Sequence, residues 1–173
     1  MDFYDVITNR ESIRSFDPNK PLAKEVYTRI LNAGRVAPSA CNKQPWRFVL
    51  VSSADMLANV WPCYDWGTWL PQAPHILVVV GNLKMAWVRP WDQYNSLETD
   101  LAIAMDHMVL AAENEGVGTC WIGAFKHDLL HTALSLAPDE IVYAITPLGY
   151  PKHGSTKRGA KQRKSFDEIV QIV

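Results

Sequence analysis

His75-Ile76-Leu77-Val78-Val79-Val80-Gly81 decides the fold class. The run is apolar throughout and rich in β-branched residues, which suits a strand buried on both faces. Working outward, Trp46 to Ser52, Val117 to Ile122 and Val142 to Leu148 read as further strands. Helical patterns lie between and around them. Met1 to Asn9 is a short helix with apolar Phe3, Val6 and Ile7. Leu22 to Val36 carries Leu22, Val26, Ile30 and Ala33 on one stripe. Leu97 to Glu115 is the longest helical pattern, and its middle is apolar on most sides. Such a helix must be covered all round, by its own domain and by a second subunit. A short helix at Lys126 to Leu134 follows, and the tail Ser165 to Val173 is apolar enough to pair or dock. Helices mixed with four to five strands predict an α+β domain.

Composition narrows the function classes. The chain has 173 residues, 48% hydrophobic and 20% charged, which predicts a single globular domain over 1–173. Lys and Arg number 17 against 18 Asp and Glu, so the basic excess of a duplex-binding protein is absent and no nucleic-acid partner is expected. No apolar run is long enough to span a bilayer, and the first ten residues lack the apolar core of a secretory signal. The three cysteines, Cys41, Cys63 and Cys120, lack CxxC spacing. They read as reduced thiols of a cytoplasmic protein rather than as disulfides or a zinc cluster.

Three stretches have the makings of a binding site. In Arg10-Glu11-Ser12-Ile13-Arg14-Ser15-Phe16, two guanidinium groups flank a hydroxyl and can converge on one anion. The same pattern also decorates solvated surfaces. In Pro38-Ser39-Ala40-Cys41-Asn42-Lys43-Gln44-Pro45-Trp46, prolines bracket a loop whose Ser, Asn and Gln either face a planar polar ligand or cap backbone groups of a turn. In Gly116-Val117-Gly118-Thr119-Cys120-Trp121-Ile122-Gly123, glycines permit close backbone approach, without the spacing of a dinucleotide fingerprint. Two other segments stand out. Five of the seven tryptophans fall between Trp61 and Trp91. Lys152, Lys157, Arg158, Lys161, Arg163 and Lys164 form a basic run without an acidic residue.

Taken in order, these motifs resemble the nitroreductase-like flavoproteins. Arg-x-Ser-x-Arg comes first, then Pro-Ser-x-x-Asn-x-Gln-Pro-Trp, then Gly-x-Gly-Thr-x-Trp-Ile-Gly. Ile145 to Pro151 and Lys161 to Val170 extend the likeness over nearly the whole chain. The resemblance implies the FMN-dependent nitroreductase-like α+β fold, with a central, mostly antiparallel sheet of four to five strands flanked by helices, and an intertwined homodimer with two flavin sites at its interface. Arg10, Ser12 and Arg14 would grip the FMN phosphate, ribityl chain and ring edge. Ser39, Asn42 and Gln44 would reach the flavin from the partner subunit. Ile122 and Gly123 would present backbone N–H groups near flavin N5, and Lys161 and Arg163 would meet the phosphate. The implied activity is hydride uptake from NADH or NADPH and reduction of a small aromatic acceptor such as a nitroaromatic or quinone. No protein nucleophile, acid or base is expected to be catalytic. The alternative is a flavin store or sensor of the same fold with little turnover, and a specialised flavin enzyme is a third reading. Within this pattern, 60–94 departs from larger family members. Its tryptophans read either as an aromatic lid over the flavin face or as packing at the dimer rim.

Overall fold

A computed structural model of the chain describes residues 1–155 and 161–173. The elements run α1 (Phe3–Asn9), α2 (Lys24–Arg35), β1 (Trp46–Val51), α3 (Ala54–Val60), β2 (His75–Asn82), α4 (Leu97–Asn114), α5 (His127–Ala133), β3 (Glu140–Leu148) and α6 (Phe166–Ile169). The sheet has the order β1-β2-β3, and both pairs are antiparallel. Trp46 faces Gly81 at one end of the first pair, and His75 faces Leu148 at one end of the second.

Strand β2 occupies the middle of the sheet, and Ile76, Leu77, Val78, Val79 and Val80 are all fully buried. Successive side chains of a strand point to opposite faces. Leu77 and Val79 accordingly enter one core with Ile30, Leu101, Met105, Met108, Ala144 and Leu148. Ile76, Val78 and Val80 enter a second core with Leu57, Val60, Leu70, Ile122, Leu130 and Ile145. The first core is roofed by α2 and α4, which pack on each other, and the second by α3 and α5. Gly34 permits the close approach of α2 to α4, since a Cβ there would lie 2.7 Å from Met108 Cγ.

The expected α+β class and antiparallel sheet hold, but the sheet has three strands among the described residues, not four or five. The stretch 117–122 runs beside β3 and touches it only in isolated bridges, Gly118 to Gly149 and Ile122 to Ile145. Between those bridges Cys120 stands opposite Pro147, which has no N–H to give. The Cys120 amide donates instead to the Thr146 hydroxyl at 2.9 Å, so the ladder is interrupted at its centre. The C-terminal tail adds no strand to this sheet either. It forms the short α6, closed by a capping box between Ser165 and Glu168, and Phe166, Ile169, Ile172 and Val173 stand exposed. Sequence patterning assigns no helix to 54–60, yet Ser53 caps α3 there by accepting from the Met56 amide.

Helix α4 buries Leu97, Leu101, Ala104, Met105, Met108, Val109 and Ala112 within the chain, while Ala102, Ile103, His107, Leu110 and Ala111 remain half-exposed. Part of its apolar surface is thus left uncovered by the described residues of its own chain. Among the described residues no helix is long and apolar enough to cross a membrane.

Leu101 joins α4 to the β2 face and is fully buried. Replacing it with alanine leaves a cavity that rigid neighbours close only in part. Leu101→Ala lowers the unfolding free energy by about 2–5 kcal/mol, measured by urea denaturation at an unchanged m-value.

Candidate functional site

Residues 10–17 form no regular element, yet they are pinned on two sides. On one side Ser12 makes a parallel bridge with Thr119, and the Ile13 amide donates to the Thr119 carbonyl at 2.7 Å. On the other, the Asp17 amide donates to the Tyr150 carbonyl and the Lys152 amide donates to the Ser15 carbonyl. Gly118 permits this threading, because a Cβ there would lie 3.0 Å from Ile13 Cβ. Beside the pinned segment opens a cleft of about 370 Å³ lined by Glu11, Ser12, Ile13, Arg14, Ser15, Gly154 and Ser155. The tight junction of three backbones thus fixes Ser12 and Arg14 in one wall.

Cations gather at the end of α1. Arg10 is the C-cap of that helix and its amide donates to the Val6 carbonyl. Lys161 Nζ donates to the Ile7 carbonyl at 3.2 Å and to the Thr8 carbonyl. These are carbonyls that a helix end leaves without intrahelical partners, and the negative end of the helix dipole favours an ammonium there. Partial desolvation lowers the Lys161 pKa below the usual lysine value, and repulsion from Arg10 and Arg163 pushes it the same way. Glu113 and Glu11 act on Lys161 in the opposite direction, so the ammonium sits among charges of both signs. Lys157 and Arg158 of the basic run lie outside the described residues.

The two candidate donors of the glycine-rich stretch differ. The Ile122 amide is committed to the Ile145 carbonyl at 2.9 Å, so it is not available to a ligand. Gly123 is exposed, its amide has no partner among the described residues, and a Cβ there would meet nothing within 4 Å. Of the two donors expected, one is open.

The nitroreductase family model matches residues 7–64 and 64–150. The chain belongs to the nitroreductase family. It is 30% identical over 168 residues to a "Putative NADH dehydrogenase/NAD(P)H nitroreductase" of Archaeoglobus fulgidus, covering 95% of this chain and 94% of that protein. Among solved structures, a nitroreductase family protein from Clostridium difficile 630 superposes with a TM-score of 0.83 at 27% identity, over 99% of this chain and 98% of the other. An oxidoreductase containing FMN superposes with a TM-score of 0.75 at 25% identity, over 88% of this chain and 77% of the other. The fold is thus the nitroreductase fold.

The remaining site residues of this nitroreductase-family chain lie on a different part of the surface. Ser39, Asn42 and Gln44 are not among the residues lining the cleft. They sit in a tight turn around a 3₁₀ segment, Ala40–Asn42. The Gln44 amide donates to Ser39 Oγ at 2.9 Å, so the serine closes the turn as a backbone cap. Cys41, Asn42 and Gln44 have φ of 49°, 52° and 49°. Left-handed conformations at residues other than glycine cost roughly 1–2 kcal/mol each, least for asparagine. Such strain in an exposed loop marks a shape held for a purpose.

The tryptophans divide. Trp69 packs against Tyr64 at 5.4 Å and Phe16 at 6.4 Å between ring centroids, and Trp61 is half-buried on the second core. Trp66 and Trp91 stand out, 77% and 79% exposed. The segment containing Trp66 is tied down by the Asp65–Lys126 ion pair at 2.6 Å. The Phe16 amide donates to Gln72 Oε1, which joins the same segment to the wall that carries Arg14. Sequence reasoning did not single out Gly154 and Ser155 as cleft residues. Their only signal was their position at the start of the basic run.

An anion that binds at these cations would stabilise the folded chain by mass action. Inorganic phosphate raises the Tm more than chloride does at equal ionic strength. In Arg10→Ala and in Lys161→Ala that increment shrinks by at least half, read by thermal shift against each variant's own baseline.

Proposed function

We propose that this member of the nitroreductase family is an FMN-dependent oxidoreductase that takes hydride from NADH or NADPH and passes it to a small aromatic acceptor such as a nitroaromatic or a quinone. The observation that carries the reading is the cleft walled by Ser12 and Arg14, which follows directly in sequence on the helix end that Arg10 caps and Lys161 binds. The donor set fits FMN. A phosphate monoester carries nearly two negative charges and is held by charge-assisted hydrogen bonds from guanidinium and ammonium groups. Arg14 and the Ser12 hydroxyl supply donors further along the wall for the ribityl chain and a ring edge. The open Gly123 amide supplies a donor where backbone can approach a planar ring closely. The names of relatives and neighbours support the same chemistry, one being called an NAD(P)H nitroreductase and another an oxidoreductase containing FMN.

When bound, FMN supplies two-electron chemistry, with hydride arriving from a reduced nicotinamide and leaving to the acceptor. The chain's own part is to bind, orient and shield. Arg10, Lys161 and Arg163 hold the phosphate end. Arg14 places positive charge near the ring edge, where it favours the reduced, more negative ring. Trp66 offers an exposed aromatic face suited to stacking on a planar acceptor.

The protein works as a homodimer in this reading, with Ser39, Asn42 and Gln44 of one copy completing the cleft of the other. Three surfaces support it. Met1, Phe3, Tyr4 and Ile7 of the N-terminal segment are exposed, α4 keeps a half-exposed apolar stripe, and Phe166, Ile169, Ile172 and Val173 cover nothing in their own chain. So much exposed apolar surface is characteristic of an interface.

Three measurements test the proposal. The purified protein takes up FMN, shows flavin absorption bands, and bleaches under anaerobic NADH or NADPH. Arg10→Ala weakens FMN binding by roughly 10- to 100-fold, the worth of hydrogen bonds to a charged group. A protein that stays colourless after FMN is added refutes the cofactor. One that turns yellow and bleaches with neither nucleotide favours the store or sensor. In sedimentation, the full chain runs as a dimer, and truncation before Ser165 shifts it toward monomer.

A further inference from the structure

Asp100 is one of very few buried polar residues, 2% exposed in the first turn of α4. It interrupts an otherwise apolar run of buried residues on that helix. Its two carboxyl oxygens have different partners. Oδ1 accepts from the Ala40 amide at 2.9 Å, across 60 residues of sequence, and Oδ2 accepts from Ser96 Oγ at 2.8 Å. Ser96 is itself buried and is the N-cap of α4, but its hydroxyl turns to Asp100 instead of capping the helix. The Ala40 amide opens the 3₁₀ segment that carries the left-handed Cys41 and Asn42, and the Ser39 hydroxyl on its other side takes the Gln44 amide. The strained turn is therefore tied at its beginning to a rigid, buried helix, while its remaining residues face solvent.

We infer that Asp100 is a positioning residue for flavin binding: with Ser96 it clamps the 39–44 turn to α4, so that Ser39, Asn42 and Gln44 are preorganised for the flavin of the second copy. This rests on the function proposed above. The physical logic is preorganisation. A loop with left-handed residues relaxes to commoner conformations once its tether is cut, and ligand binding must then restore the ordered shape at the expense of affinity. A buried carboxyl group on a helix is a stiffer anchor than any contact within the loop, because α4 is held by the first core along its length.

The experiment compares Asp100→Ala, Asp100→Asn and Val109→Ala with the wild-type dimer. Val109 is buried on the same helix, well C-terminal to the clamp, and controls for general loss of packing. Two readouts are taken: hydrogen exchange of the 37–45 peptide without flavin, and FMN affinity with the visible spectrum of the bound flavin. Asp100→Ala speeds exchange of that peptide, weakens FMN binding tenfold or more and shifts the flavin bands. Asp100→Asn keeps an acceptor of the same shape and retains wild-type exchange and most of the affinity. Val109→Ala lowers the Tm while leaving the peptide's exchange and the spectrum unchanged. If Asp100→Ala does not fold, Ser96→Ala decides. A threefold or greater loss of affinity with faster exchange supports the clamp, and wild-type values for both overturn it. Unchanged exchange and affinity in a folded Asp100→Ala overturn the inference while leaving the flavin reading intact. A wild-type protein that binds no FMN overturns the flavin reading, and hydrogen exchange still reports whether Asp100 holds the turn.

Discussion

Strand β2 is paired on both edges and covered on both faces, and this double burial constrains everything around it. Each backbone polar group of a strand so placed must be satisfied by a neighbouring strand, so β1 and β3 are obligatory. Each face needs its own apolar layer, so the chain must supply two cores. It does so with α2 and α4 on one face and α3 and α5 on the other. The consequence for function is indirect but definite. With β3 fixed along β2, its outer edge is left to receive the 117–122 stretch, and that stretch in turn receives residues 12–13. The cleft wall is the third layer of this stack.

The same stack explains why the site has free donors. A complete ladder between β3 and 117–122 would use every amide on the facing side. Pro147 removes one rung, the Thr146 hydroxyl substitutes for another, and the pairing ends at Ile122. Gly123 comes next, with its amide open and no side chain in the way. Irregular pairing here leaves an amide without a partner among the described residues, where a continued ladder would pair it. Next to the cleft in sequence, the end of α1 gathers charge instead. Lys161 feels Arg10 and Arg163 as like charges and Glu113 and Glu11 as opposite ones, and it donates to the carbonyls at the end of α1.

Much of this was legible from periodicity. The buried strand at 75–81, the long helix at 97–115 and the amphipathic helix at 22–36 appear within a residue or two of their places, because burial on one or both faces writes itself into residue type. Three features were not. Helix α3 is two turns long and too brief for a periodic signal. The 117–122 stretch has strand composition, and its failure to pair depends on a proline in a different segment. The tail is apolar as expected, but within one chain it has nowhere to bury those side chains.

The sequence by itself determined the α+β class, the central buried strand, the family and the residue types able to hold a phosphate, because composition, period and motif order are properties of neighbouring residues. Only the tertiary structure decided which of those residues meet. It tied Lys161 to the Ile7 carbonyl at the end of α1, 154 positions away in the chain. It closed the Ile122 amide while leaving that of Gly123 open, and it tied the Ala40 turn to Asp100. Hydrogen bonds and charge contacts between distant segments depend on distances that the packed cores impose, and no local pattern carries that information.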